Sequence, residues 1–315
     1  MMRPRELEAF FRAMIANPER ADATRSLTFT NEYSDFHYNA SFYDLLIEST
    51  RLMRKLEHFS VLDESSNTAT RKISILTCLA SLEFPCLLTC GIDITAKRGG
   101  CQDSAVGHFL ARHTTVTRLR LWSYGEFENP VYTRALLPDL QHYDGTIQFL
   151  PMVSSRRLAK VRLPWAAYAD FGAILEALRV TLDSHLPIVL FFDHFFSPQK
   201  DVPEILSLLA EKIPHVTSLQ ISTTRCEDRP PPEETLNGLT ECLPRFSRLK
   251  YIALKNTSPE LIPWQSWPWA ESVPTLKACS IGRRAWRKVD GVWEEYREEE
   301  FEAEAGFSGF DPFRI

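Results

Sequence analysis

The sequence predicts an α/β fold, a solenoid of stacked strand–helix units with a parallel sheet on its concave side and helices on its convex side. Three observations predict it. A short apolar pattern recurs along the 315 residues. Amphipathic runs with a helical period precede many of its copies. After the last copy, the pattern changes to that of a β-hairpin around Asp290-Gly291.

The apolar pattern is L-x-x-L-x-L, where L stands for any apolar residue, and its clearest copy covers residues 116–121. The second apolar residue of the pattern is its middle position. The middle positions of the first and last copies, Leu27 and Cys279, are 252 residues apart, which over nine intervals gives a mean spacing of 28 residues. That is the period of a leucine-rich repeat, with one strand and one helix or turn per unit. The middle positions of the ten copies are Leu27, Phe59, Ile92, Leu119, Tyr143, Val161, Leu190, Leu219, Ile252 and Cys279.

Helices are predicted where apolar residues recur every three or four positions. Residues 4–16 carry such a stripe, and Asn17-Pro18 ends it. Residues 171–178 carry another stripe before a continuously apolar strand at 188–192. Asp201 to Glu204 has the spacing of a capping box with a proline early in the helix, so a third helix is predicted to begin there.

The C-terminal end is predicted to be a hairpin followed by a tail. Alternating segments flank Asp290-Gly291, a dipeptide typical of two-residue hairpin turns. A terminal unit has no neighbour to cover its core, so a cap is expected there. We assign residues 1–296 to the solenoid, with the hairpin cap at 283–296. Residues 297–315 are acidic and are predicted to form a loosely ordered tail.

Composition narrows the classes of partner and compartment. A net charge of −5 and a pI near 6.0 argue against a nucleic-acid or anionic-membrane binder. The seven cysteines are odd in number and several fall at predicted core positions, which favours reduced thiols in an intracellular protein. Residues 1–20 show no secretory signal, so cytoplasm or nucleus is expected.

The search for catalytic chemistry predicts a non-enzyme without catalytic residues, cofactor or metal. Nucleotide-binding glycine motifs and H-E-x-x-H are absent from the sequence. Cys86 and Cys90 form a close cysteine pair, but no second pair completes a metal site. Asp193-His194 follows a predicted strand and is interpreted as a strand-end loop.

The concave face offers a candidate binding site. Side chains alternate across a strand, so the residues between the core positions point outward. A cluster of cations with an aromatic ring on such a surface suits an acidic or phosphorylated protein segment. The alternative is a solvated charged face, partly paired with Asp144 and loop acids. The predicted cluster comprises Arg118, Arg120, Trp122, His142, Asp144, Lys160 and Arg162.

Three stretches resemble the leucine-rich-repeat region of fungal F-box proteins: residues 6–27, residues 109–121 and residues 285–294. The first resembles the segment that follows the F-box in that family, so no F-box is expected within this chain. The resemblance implies repeats that hold the substrate of a cullin-type ubiquitin ligase. It implies the ligase adaptor as a partner only if an F-box is supplied elsewhere.

The sequence therefore predicts a non-catalytic protein–protein interaction module that resembles the substrate-recognition repeats of an F-box subunit. One alternative is a repeat scaffold without a ligase connection, and another is a truncated product of the F-box family. A third, from a different class, is a hydrolase with an unrecognised site near His142, Asp144 and His194.

Overall fold

The structure is a computed structural model of the whole chain. It describes residues 4–31, 40–63, 78, 81–94, 102–123, 134–165, 171–182, 185–194, 202–223, 233–255 and 272–308. The chain divides into two compact units. The described residues up to Leu158 belong to the first, and those from Ala159 to Ser308 belong to the second.

The first unit has a parallel sheet in the order β1-β2-β3-β4-β6, together with helices and a separate parallel pair, β5-β7. The elements are α1 Pro4–Ala16, α2 Pro18–Ala23, β1 Ser26–Asn31, α3 Ala40–Leu52, β2 His58–Asp63, β3 Thr89–Ile94, α4 Gln102–Arg112, β4 Arg118–Ser123, β5 Ala135–Leu136, β6 His142–Gly145, a 3₁₀ helix Ile147–Met152 and β7 Val153–Ser154.

The second unit has a sheet in the order β8-β9-β10-β11-β12-β13-β14, in which β8 to β12 are parallel and the last two strands are antiparallel. The elements are β8 Lys160–Trp165, α5 Phe171–Thr181, β9 Ile188–His194, α6 Val202–Lys212, β10 Val216–Thr223, α7 Glu233–Cys242, a 3₁₀ helix Leu243–Arg245, β11 Tyr251–Lys255, β12 Ala278–Ile281, β13 Arg284–Val289, β14 Val292–Tyr296 and α8 Glu298–Ala305.

The mixed α/β architecture with mostly parallel strands is confirmed, and the ten predicted middle positions are all buried. Within the second unit the five middle positions are in register from Val161 to Cys279. In the first unit one copy of the pattern was misplaced by two residues. Phe59 pairs with Cys90 and not with Ile92, because both residues point into the core and the pattern fits either.

The predicted hairpin is confirmed by the pairing of β13 with β14. Asp290 and Gly291 both have positive φ angles, 50° and 85°. Both central residues of a type I′ turn need positive φ, which asparagine, aspartate and glycine adopt more readily than other residues. The hairpin continues the sheet because β13 also pairs with β12.

Hydrogen bonds at the strand entrances join neighbouring copies of the pattern within each compact unit. The amide nitrogens of His58 and Thr89 donate to the carbonyl oxygens of Arg25 and Glu57, both at 2.9 Å. A hydroxyl repeats this link elsewhere, since Thr275 Oγ1 donates to Leu249 O at 2.7 Å. These bonds extend the parallel pairing by one residue and satisfy the backbone carbonyls at the strand entrances.

The C-terminal segment corrects one expectation. Residues 298–308 are not a loosely ordered tail, since α8 is a helix in which Phe301 and Ala305 are buried. Gly306 ends it with a φ of 76°, and the Phe307 amide donates to Glu302 O at 2.7 Å, so the buried Phe307 folds back beside Phe301. The prediction was based on the acidic composition and overlooked the apolar residues on one side of the helix, Phe301 and Ala305. Residues 309–315 lie outside the described residues.

A histidine is built into the core of the first unit. His113 is 2% exposed, and its Nε2 accepts a hydrogen bond from the Phe84 amide at 2.8 Å. Its Nδ1 lies 2.6 Å from Phe109 O. A carbonyl only accepts and an amide only donates, so the ring is neutral with its proton on Nδ1. Burial, opposed by the Phe109 hydrogen bond, lowers the pKa of His113 below its ordinary 6.5.

The first unit is therefore expected to lose stability as the pH falls. Below about pH 6.5 the unfolded chain protonates His113 while the folded chain resists it, so unfolding takes up a proton and acid favours it. His113→Phe should be less stable at neutral pH, because the Phe84 amide loses its acceptor. The measurement is urea unfolding of both proteins from about pH 7 to pH 5. Their stabilities should converge as the pH falls; a constant difference would contradict the assignment.

Candidate functional site

The candidate site lies on one face of the first unit's sheet, which we call the outer face. In β4, Leu119 and Leu121 are buried in the core, so the alternating residues Arg118, Arg120 and Trp122 point the other way. The register places Arg118 opposite His142 and Arg120 opposite Asp144 on β6. On the other side, β3 brings Asp93 opposite Trp122.

Arg120 is held by a carboxylate that the sequence interpretation left out of the cluster. Its Nε and Nη2 donate to the two carboxylate oxygens of Asp93 at 3.1 and 3.0 Å. The side chain of Asp93 is 5% exposed and that of Arg120 is 21% exposed. A paired arrangement of this kind is strong and fixes the plane of the guanidinium. Much of the charge of Arg120 is therefore already balanced within the fold.

The aromatic ring completes a connected set of four side chains. The guanidinium carbon of Arg120 is 5.2 Å from the centre of the Trp122 ring, within the range of a cation–π interaction. Trp122 Nε1 donates to Asp144 Oδ1 at 3.0 Å. We call Asp93, Arg120, Trp122 and Asp144 the strand-face network. Each member restrains the next, so the half-buried indole is presented in one orientation.

The structure brings together five of the seven predicted residues and describes the other two in a different unit. Arg118, which is exposed, and the half-buried His142 flank the strand-face network on β4 and β6. Lys160 and Arg162 belong to β8 of the second unit. The Nζ of Lys160 is 3.8 Å from the point where a Cβ at Gly306 would stand. Lys160 thus lies by the C-terminus of α8, where a cation is favourable.

Asp93 could have been found from the sequence by one further step. It stands 27 residues before Arg120, close to one period of the pattern, and periodic neighbours lie on adjacent strands. A comparison of each outward-facing cation with the residues one period earlier would have paired Arg120 with Asp93. The cluster is thus less cationic than its composition suggests.

Among the described residues, the cysteines, histidines and acids that the sequence analysis weighed as catalytic or metal-binding groups do not form such a site. No group of three or more histidine, cysteine or acidic side chains in the described part of the chain is placed to hold a metal ion. Cys86 is exposed, whereas Cys90 is buried and burial raises the pKa of its thiol far above the ordinary value. The interpretation of Asp193-His194 as a strand-end loop is wrong, since both are the last residues of β9 and pair with β10. Their side chains lie outside the described residues. Asp144 accepts the Trp122 hydrogen bond and adjoins Arg120.

Across the ranges that the structure describes, no helix has the length and apolar run needed to cross a membrane.

Comparisons with known proteins supply no family. No protein-family description matches the chain, and no curated protein matches it. Among solved structures, the chain is similar to a structural-genomics target, a protein from Bacteroides fragilis, with a TM-score of 0.48 and 12% sequence identity. The alignment covers 94% of this chain and 74% of that one. A TM-score below 0.5 does not establish a shared fold, so the likeness carries no functional argument.

Proposed function

We propose that the chain is a non-catalytic protein–protein interaction module of the leucine-rich-repeat class. Its role would be that of the substrate-recognition repeats of an F-box subunit in a cullin-type ubiquitin ligase, acting in the cytoplasm or nucleus. The partner is a protein with an acidic or phosphorylated segment. The observation that carries the proposal is the strand-face network, which holds an aromatic ring and a guanidinium rigidly beside the exposed Arg118.

The network prepares the face for binding in two ways. The Arg120–Asp93 pair fixes Trp122 and Arg120 before any partner arrives, so little side-chain freedom is lost on association. Arg118 stands at the same level of the sheet as His142. A carboxylate or phosphate on the partner would meet Arg118, and an apolar residue beside it would pack on the indole of Trp122. Trp and Arg are the residues most enriched among interface hot spots.

Charge reversal at Arg118 tests this proposal. Arg118→Glu is expected to weaken partner capture at least tenfold, because it places a like charge opposite the acidic segment. The matched control is Arg12→Glu, an exposed arginine on α1 of the same unit. The measurement is quantitative affinity purification from cell lysate with the three full-length chains, with and without phosphatase treatment.

The result should separate the binding site from general charge effects. The proposal expects partners that the wild type and Arg12→Glu recover and Arg118→Glu loses, with phosphatase abolishing the phosphorylated ones. If Arg118→Glu recovers the same partners in the same amounts, the outer face of the first unit is solvated surface. If the wild type itself recovers no discrete partner, the proposed function is wrong.

A further inference from the structure

The second unit has an apolar patch on the sheet face that its helix-side core does not use. In β9, Leu190 is buried with the core, and its neighbours Val189 and Phe191 point to the opposite face, yet they are only 8% and 4% exposed. We call this patch the apolar strand face. Its members are Val189, Phe191, Ala253, Ala278 and Ala285.

The chain's own C-terminal segment covers the apolar strand face. Phe301, Ala305 and Phe307 join the same buried cluster. The Phe307 ring packs edge-on to Phe191 with ring centres 5.1 Å apart. Tyr251 and Tyr296, each 6.4 Å from the Phe301 ring between centres, border the contact. An amphipathic helix thus lays its apolar side on an apolar surface, as it does in a common mode of peptide recognition.

One cation recognises the acidic side of the helix. Lys255 Nζ forms ion pairs with Glu298 and with Glu302, the latter at 2.9 Å. Burial alone would lower the pKa of Lys255, but the two carboxylate hydrogen bonds outweigh it and the pKa is raised. Glu298 and Glu302 are one helical turn apart, so the spacing of the acids matters as well as their charge. The face therefore selects an acidic helix with a defined apolar pattern.

The resident helix fits the face incompletely. It has eight residues, and a helix of that length is not stable in water without a surface to pack on. Ser280 Oγ and Tyr296 Oη are buried without a hydrogen-bond partner among the described residues. Ser280 pairs in register with Ala253 and with Ala285, so it lies within the apolar strand face. Buried hydroxyls without partners lower the stability of the arrangement in which α8 covers the apolar strand face.

We propose that the apolar strand face is a helix-binding surface which residues 298–308 occupy in the free protein and which a partner's helix of the same chemistry takes over. That partner helix is short and acidic. It presents Phe-x₃-Ala-x-Phe, with glutamates three residues before and one residue after the first phenylalanine, as the resident segment does. The inference goes beyond the proposed function, since it concerns the second unit and uses none of the strand-face network.

The test releases the resident helix without altering the surface beneath it. Ala303 is an exposed interior residue of α8, so Ala303→Pro breaks the helix and leaves the apolar strand face unchanged. Ala303→Ser is the matched control. A fluorescent peptide with the sequence of residues 297–308 is titrated into each full-length chain. It should bind Ala303→Pro at least tenfold more tightly than the wild type or Ala303→Ser, because the tethered helix competes at an effective concentration of about millimolar.

Two further variants define the contact. A peptide with alanine at both phenylalanine positions should bind no chain. Lys255→Glu in the Ala303→Pro background should weaken the peptide at least tenfold, because both ion pairs become repulsive. Peptide binding that is equal in all chains, or absent from a folded Ala303→Pro chain, would overturn the proposal.

Hydrogen exchange in the wild-type chain gives an answer that does not depend on the variant folding. The amides of Phe301 to Gly306 should exchange at least a hundredfold faster than those of Leu219 to Ile221 in β10, because the helix opens while the sheet stays intact. Exchange at the same slow rate in both segments would show that α8 is a fixed part of the core, and the proposal would be wrong. If the peptide does not bind, the result of the Arg118 experiment is unaffected. Failure of the helix-binding proposal can therefore be distinguished from failure of the proposed function.

Discussion

Replacing Arg120 with methionine is expected to destabilise the first unit by about 3 kcal/mol. The substitution keeps an unbranched side chain but removes both hydrogen bonds to Asp93, whose carboxylate is 5% exposed. A carboxylate that loses these two charged hydrogen bonds at a 5% exposed position cannot recover its full hydration. The measurement is the free energy of unfolding in urea, monitored by a probe in the first unit. Arg118→Met, at an exposed position on the same strand, should change stability by less than about 0.5 kcal/mol.

A double-mutant cycle separates this mechanism from simple loss of packing. Asp93→Leu combined with Arg120→Met should recover most of the lost stability, because replacing both members of a buried pair by apolar groups is often nearly neutral. Additive effects of the two substitutions would mean that the pair is not coupled. Charge reversal at Arg120 disturbs the fold as well as the surface, so Arg118 is the cleaner site to change.

Gly145→Ala is expected to destabilise the first unit by about 3 kcal/mol through a backbone clash. A Cβ at this position would stand 2.1 Å from Leu121 O and 2.8 Å from Leu121 C on the neighbouring strand. Gly145 pairs with Leu121 in the ladder, so neither backbone can move without breaking the β4–β6 pairing. No flexible side chain is available to give way.

Thermal and urea unfolding of Gly145→Ala check that expectation. Ser154→Ala, at an exposed position of β7 in the same unit, is the control and should lie within about 0.5 kcal/mol of the wild type. A Gly145→Ala chain as stable as the wild type would mean that β6 sits farther from β4 than described.

The strands could be predicted because their core positions are local and repetitive. Leu119 and Leu219 sit in short segments whose alternation alone decides which side is buried. The hairpin was predictable for a similar reason, since Asp290-Gly291 carries the turn geometry in two residues. In the first unit the pattern misplaced the copy at β3, where Cys90 and Ile92 both fit the middle position.

The covered face and the strand-face network depend on residues far apart in sequence. From their own strand, Val189 and Phe191 would be expected to expose apolar side chains to solvent. Phe301 and Phe307, more than a hundred residues later in the sequence, cover them. Asp93 similarly looks like an isolated acid within its own strand, and only a comparison one period along the chain places it near Arg120. Local periodicity predicts which elements form, but complementarity between faces appears only when the elements are placed together.

The C-terminal hairpin also governs how the sheet meets another copy of itself. Without the hairpin, β12 would be an edge strand with unpaired backbone amides and carbonyls. In the structure β13 pairs with β12, and β14 is the last strand of the sheet order. Its exposed residues include Glu294 and Glu295. If the β14 strands of two chains approached side by side, their Glu294 carboxylates would repel each other, whereas Glu295 is already paired with Arg284. The hairpin thereby disfavours edge-to-edge polymerisation, and chains that lack it are expected to form fibrous aggregates at concentrations where the whole chain stays dispersed.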